Sequence, residues 1–388
     1  MKITRLVCLT VAAAALLTAQ SGPEQPPSAL FSAIEVAASS IKGVLLRFVN
    51  TANGRSPVQV ATRHRDSNYI AMRDGEGNLT EAGISLVAQH VEEVLGELKS
   101  EARRMHMAVP RPFVVGSSGM ALIKNKDDLR KQVYEATEVC MDFISASDEA
   151  RFSRIFLPAR TAQSSILMDL GGGNTKGGYM QGTQWRDGAI PFGSRTLRQA
   201  ARQRATRKSI SYEQAVAELI NEQVIPAYSK IISDQPGFVS RKILYLYGGA
   251  IWATANWSQP SQVTKFFSTL TLADFDQYLL TLVEHDGDEK RLRRGALPAN
   301  ASPAVRAAAD AAFRESADIF DRESLIAGVS IARAIIKASH PDVEIQFPRQ
   351  ALWLPGYGIS CFLDKRECNA PVCAPRPGLG KGLRPRAK

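Results

Sequence analysis

The stretch Ser164–Met180, SSILMDLGGGNTKGGYM, limits what this chain can fold into more than any other part of it. Its opening, SSILMDL, is an apolar run ending near an aspartate and reads as a buried strand. Three consecutive glycines contribute nothing to packing, so their place directly after such a strand needs another reason. A turn between two strands can aim its backbone N–H groups outward as an anion nest. Glycine permits the positive φ angles and the close approach that this takes. On this reading Gly171, Gly172 and Gly173 supply N–H donors, Asn174 and Thr175 add side-chain donors, and Asp169 holds a metal ion or orders water against a phosphate. A flexible hairpin turn beside an incidental aspartate fits the same residues.

The same pattern occurs earlier. FSAIEVAASSIKGVLLRFV (Phe31–Val49) reads as strand, tight turn, strand, with Glu35 near the end of the first strand and Ala37-Ala38-Ser39-Ser40 at the turn. SPVQVATRHRDSNYI adds a third strand to an antiparallel meander. A further glycine pair follows KILYLY (Lys242–Tyr247): Gly248-Gly249 opens a helix, AIWATANW, whose N-terminus can receive an adenosine or a phosphate. Apolar spacing predicts other helices at Glu81–Met105, Asn125–Cys140, Ser147–Ala159, Arg195–Arg204, Tyr212–Ser233, Leu272–His285, Ser302–Ser316 and Arg322–Ser339. Two halves that each begin strand–tight turn–strand and continue into helices suggest duplicated α/β domains that meet near residues 152–163.

At 388 residues and 45% hydrophobic content, the chain can build two cores. Its first residues belong to neither. Lys2 and Arg5 precede an uncharged run, Leu6–Ala19, and then Gln20-Ser21-Gly22-Pro23, the layout of a secretory signal peptide. An uncleaved N-terminal anchor is the other reading, although the run is short for a membrane span. Loss of residues 1–22 removes Lys2 and Arg5 and no acid, so the net charge of +10 falls to +8, a balance that suits a polyanionic partner. Four cysteines remain: Cys140, Cys361, Cys368 and Cys373. Their spacing fits no zinc site, and in an oxidising compartment one pair can close a loop in the C-terminal segment. The expected division is a signal peptide (1–22), domains over 28–155 and 156–350, and a Cys-, Pro/Gly- and base-rich tail (351–388), disordered from Pro371.

Taken in order, these segments resemble the exopolyphosphatase / guanosine pentaphosphate phosphohydrolase (Ppx/GppA) family of the actin, sugar-kinase and heat-shock-chaperone superfamily. The resemblance runs from about Ala33 to Gly328. AIEVAASSI is similar to the family's first phosphate loop, A-[IV]-D-[IL]-G-S-N-S. VVGSSGMALIKN resembles its V-A-T-S-A-x-R-x-A-x-N segment, FISASDEARF its I-S-G-x-E-E-A-R-L, LMDLGGGNTK its I-D-I-G-G-G-S-T-E, and LYGGAIWATA its G-T-G-G-T-[IV] turn. The resemblance implies two actin-like (ribonuclease H-like) domains, each a mixed five-stranded sheet with helices on its faces, with a cleft between. It implies cleavage of terminal phosphate by water that Glu149 activates. Mg²⁺ or Mn²⁺ is expected on Asp169 and Glu35. Phosphates are expected along Gly171, Gly172, Gly173, Asn174, Thr175, Ser39, Ser40, Ser117, Lys176, Gly248 and Gly249. Export favours polyphosphate, or another polyanionic phosphoanhydride, over guanosine pentaphosphate, a cytoplasmic nucleotide. No nucleic-acid partner is expected, nor an integral membrane protein once processed, and a homodimer is left open.

The chain also departs from the family's pattern. Glu35 stands for aspartate, Ala37 for a loop glycine, Ser39 for asparagine, Met120 for arginine and Lys176 for the glutamate that ends G-G-G-S-T-E. A lysine there repels a metal and attracts phosphate. Three readings follow: an active exported phosphatase with altered metal handling, a polyphosphate- or nucleotide-binding protein with little turnover, or a protein-interaction domain.

Overall fold

A computed structural model describes residues 30–363 except 39, 52–53, 68, 285–294, 340–341 and 350–352. The expected signal peptide, Ser39, Cys368, Cys373 and the segment from Pro371 lie outside the described residues.

The first sheet begins with the expected meander: β1 (Leu30–Ala37), β2 (Ser40–Thr51) and β3 (Gly54–Asp66), joined antiparallel. β1 also runs parallel to β4 (Arg111–Gly116), and β4 to β5 (Met141–Phe143), giving the order β3-β2-β1-β4-β5. Side chains alternate across β1. Ile34 and Val36 face α1 (Glu81–Arg104) and α2 (Lys126–Thr137), while Phe31 and Ala33 pack in a second core on the opposite face. α1 forms where it does because Thr80 accepts from the Gly83 N–H, and because Val87, Val91, Val94, Leu98 and Ala102 make a buried stripe at helical spacing. α3 (Ala146–Ser153) closes the unit. Ser145 and Asp148 form its capping box, so it begins before the Ser147 that the sequence pattern suggests.

The second sheet repeats this grammar. β6 (Ser165–Leu170), β7 (Thr175–Gln181) and β8 (Gln184–Ile190) form an antiparallel meander, and β6 runs parallel to β9 (Ile243–Gly248). Two strands not anticipated from the sequence, β10 (Phe267–Leu270) and β11 (Glu344–Pro348), extend it to β10-β11-β9-β6-β7-β8, six strands rather than five. All of β6 is buried, which explains its near-continuous apolar run. The sheet is covered by α4 (Ser194–Lys208), α5 (Tyr212–Leu219), α6 (Ile225–Asp234), α7 (Gly237–Ser240), α8 (Gly249–Ser258), α9 (Leu272–Glu284), α10 (Pro303–Ile319) and α11 (Arg322–Ala338). α5 and α6 are one helical rod broken by a wider turn at Ile220–Val224. No described helix is long and apolar enough to cross a membrane.

The C-terminal segment corrects the expectation of a tail from residue 351. α12 (Trp353–Gly358) and the turn Ile359–Leu363 return to the first unit. Trp353, Leu354, Tyr357 and Ile359 share a core with Phe31, Phe113, Ile144 and Phe152. The Tyr357 hydroxyl donates to Asp142 Oδ2 at 2.9 Å. Cys140 and Cys361 are each in a disulfide, so the bridging reaches back to the start of β5 and is not confined to the tail. This strap packs beneath α3, the helix that carries Glu149. Trp353→Ala should therefore lower stability by about 3 kcal/mol or more, the usual cost of deleting a buried large aromatic. Urea denaturation checks this; a loss below about 1 kcal/mol would mean that the strap is not part of the core.

Candidate functional site: a lysine among three carboxylates

Register brings the charged residues together. Asp169 on β6 lies directly opposite Lys176 on β7 and beside Tyr247 on β9. In the first sheet Glu35 on β1 lies opposite Lys42 on β2, which lies opposite His64 on β3. An acid is thus paired across the hairpin with a lysine seven residues later in both units. Glu149 enters from the first turn of α3, where its negative charge also complements the helix dipole.

These groups meet at one place. Lys176 Nζ is 2.7 Å from Asp169 Oδ2, 3.2 Å from Glu149 Oε1 and 3.4 Å from Asn174 Oδ1. The ammonium's three protons thus have three acceptors. Lys176, Glu149 and Asp169 are 4%, 3% and 6% exposed, so the lysine is not the solvated strand residue that its position in a hairpin first suggests. The Ser118 N–H donates to the other Glu149 oxygen at 3.0 Å. Asn174 Nδ2 donates to Ser118 Oγ at 3.4 Å, linking the glycine turn of the second unit to the first. The Tyr247 hydroxyl bonds Ser153 of α3 and supports Asp169.

The electrostatics follow from burial. Burial alone disfavours the Lys176 ammonium, but Asp169 and Glu149 more than offset it and hold Lys176 protonated well above the ordinary lysine range. Burial raises Asp169, with Glu149 adding to the effect and Lys176 opposing it. Glu35 is pushed up to about 7 from 4.5, first by burial and then by Glu149 and Asp169, with Lys42 and Lys176 pulling the other way. It keeps part of its surface open to the cleft.

Other expected site residues have different roles. The described glycines with positive φ are Gly77, Gly182 and Gly248, so Gly171, Gly172 and Gly173 do not form the positive-φ nest expected of them. Their carbonyls instead receive the start of α4: Ser194 N–H reaches Gly171 O at 3.0 Å, and Arg195 N–H reaches Gly172 O at 2.9 Å. Gly193 permits this, because a Cβ there would lie 2.2 Å from Gly171 O. Among the described residues the N–H groups of Gly172 and Gly173 have no partner, so they remain available to an anion. The Thr175 hydroxyl is fully buried on Phe192 O and does not face the cleft. Ser40 pairs with Ala37 at the first hairpin turn. Ser117 caps the short turn at Met120, and it is the neighbouring Ser118 that touches Glu149. Met120 is fully buried in the first core, so hydrophobic packing holds the position where the family carries arginine. Gly248 has φ +125° and lies so near Leu170 O that a Cβ would meet it at 2.1 Å, while the Phe320 ring stands against Gly249. Packing thus demands glycine at both positions at the start of α8. Sequence reasoning missed Ser118, Tyr247, Ser153 and Arg195, whose stem lies against Gly172. The only advance signal was that Ser118 and Arg195 follow strand ends.

The residues do not fit a divalent ion on Asp169 and Glu35 as expected. Mg²⁺ and Ca²⁺ need oxygens at about 2.0–2.6 Å, and the Asp169 carboxylate already faces an ammonium at 2.7 Å. Among the described residues no group of three His, Cys, Asp or Glu is arranged to hold a metal.

No family model matches the chain, and no curated protein matches it. Solved structures do. A Ppx/GppA family member from Aquifex aeolicus superposes with TM-score 0.60 at 16% identity, covering 88% of this chain and all of that one. An exopolyphosphatase from Cytophaga hutchinsonii gives 0.56 at 13% identity, covering 86% and 97%. An exopolyphosphatase-like protein gives 0.57 at 14% identity, covering 85% and 96%. The fold is therefore the two-unit α/β fold of these Ppx/GppA structures.

One consequence of the cluster is a pH dependence. A carboxyl whose pKa rises from 4.5 to about 7 on folding favours the folded state most at low pH, and this contribution is lost as pH rises through 7. Above that, the charged Glu35 costs up to about 3 kcal/mol, less what the open side of the cleft screens. Glu35→Gln should thus gain stability relative to the parent between pH 5 and pH 8 in urea denaturation (pH values about the two ends of the titration). A difference that stays constant with pH would contradict this environment for Glu35.

Proposed function

We propose that this chain is a Ppx/GppA-type protein that binds a phosphoanhydride chain, inorganic polyphosphate first among the candidates, with hydrolysis held back by the Lys176–Glu149 pair. The observation that carries the reading is the convergence of Glu149 from the first unit with Asp169, Lys176 and the Gly171–Asn174 turn from the second. The Gly172 and Gly173 N–H groups supply donors for phosphate oxygens. Disulfides at Cys140 and Cys361 support an oxidising compartment, in keeping with a secreted or periplasmic protein. That location favours polyphosphate over a cytoplasmic nucleotide.

A second reading, slow hydrolysis, is favoured by one contact. The Ser118 N–H fixes one Glu149 oxygen, as orienting a general base requires. In that case the phosphate chain draws the ammonium away from Oε1, and Glu149 accepts the proton of the attacking water. No step is assigned to a metal.

Long-chain polyphosphate should raise the melting temperature of the mature protein, less so as salt rises. Phosphate release should be slow, and Glu149→Gln should reduce whatever release there is by about 100-fold or more. Release that survives Glu149→Gln removes Glu149 from the chemistry. The absence of both stabilisation and release would overturn the phosphoanhydride reading altogether.

A further inference from the structure

We infer that Lys176 is the site's resident cation and stands where a phosphate-handling site of this kind would hold a divalent ion, so that the site takes up no metal. The inference deepens the proposed function and rests on it only for the identity of the anion.

Three observations carry it. The first is position. Nζ of Lys176 lies between one carboxylate from each unit, at 2.7 Å from Asp169 and 3.2 Å from Glu149. A metal ion bridging those oxygens would occupy the same space. The second is anchorage. Lys176 is the cross-strand partner of Asp169 in the β6–β7 ladder, so the sheet register itself aims the side chain. Its stem is enclosed, and Asn174 takes the remaining ammonium contact. Moving it out would leave two buried carboxylates without a cation, which is strongly unfavourable. The third is charge. Lys176 acts on Glu35, Glu149 and Asp169, and Lys42 acts on Glu35, so two cations offset three acids to within a single charge. The Glu35–Lys42 pair occupies in the first hairpin the register that Asp169–Lys176 occupies in the second. Both halves of the fold therefore carry their own counter-ion.

An ammonium in this position differs chemically from a metal. Its three protons are already given to Asp169, Glu149 and Asn174, so it offsets negative charge from where it stands, and it does not acidify a bound water as a divalent ion does. Such a site favours binding over turnover, in agreement with the slow hydrolysis proposed above.

The test is Mn²⁺ binding, read by loss of the free-ion electron paramagnetic resonance signal and by calorimetry, on the parent chain, Lys176→Glu and Lys176→Gln. The parent should leave the signal unchanged at millimolar Mn²⁺. Lys176→Glu should bind Mn²⁺ at least about tenfold more tightly, since affinity follows ligand charge. Lys176→Gln, which adds no charge and keeps the side chain's bulk, should also gain affinity, and it decides the matter if Lys176→Glu does not fold. Tight Mn²⁺ binding by the parent, abolished by Asp169→Asn, would overturn the inference. So would a failure of both folded variants to gain affinity. A parent that refuses Mn²⁺ and also ignores polyphosphate would sink the proposed function and leave this inference standing.

Discussion

The ion pairs of Lys176 with Asp169 and Glu149 join the two halves of the molecule. Asp169 and Lys176 belong to adjacent strands of one sheet, and Glu149 to a helix of the other unit. Taking three charges out of water is costly, and the cost is met only where their mutual geometry is good and the remaining donors and acceptors are satisfied. That condition is fulfilled: the ammonium has three acceptors, and the Ser118 N–H holds the second Glu149 oxygen. Removing Lys176 leaves two buried carboxylates without a cation, whereas removing either acid leaves the ammonium with the other. Tyr247 and Ser153 brace the same junction, as does the bond of Thr161 with Tyr245.

Duplication explains why the cluster takes this form. Each unit starts with a hairpin whose first strand carries an acid and whose second carries a lysine in register, and each hairpin is extended by a parallel strand on the same side. The acids of the two hairpins act on one another and on Glu149, each hairpin bringing its own cation. The strap that returns from the second unit, Trp353–Leu363, packs beneath the helix that carries Glu149 and so fixes the last of the three carboxylates.

Much of this was legible in the sequence. The hairpin of β6 and β7 follows from an apolar run broken by three glycines and the helices α1, α9 and α11 from their spacing, while only the family resemblance pointed Glu149 towards Asp169. Other features were hidden for physical reasons. β11 is five residues long, too short for its alternation to stand out, and parallel pairing with β9 is what makes it a strand. The sequence WLPGYG of α12 contains a proline and two glycines, so local preference argues against a helix, and burial against Phe152 and Phe113 decides otherwise. The triple glycine suggested positive φ angles, whereas its carbonyls are engaged by α4 through Gly193, a contact between residues about twenty apart. Lys176 announced itself as a change of charge, but its burial depends on an acid from the other unit.

The central claim is that an ammonium, not a metal, holds the space between Asp169 and Glu149. The most direct measurement is a crystal structure of the protein soaked in manganese, with an anomalous difference map. The account predicts no anomalous peak in the cleft, with Lys176 Nζ within hydrogen-bond distance of both carboxylates. A manganese peak bridging Asp169 and Glu149, with the lysine turned away, would contradict it.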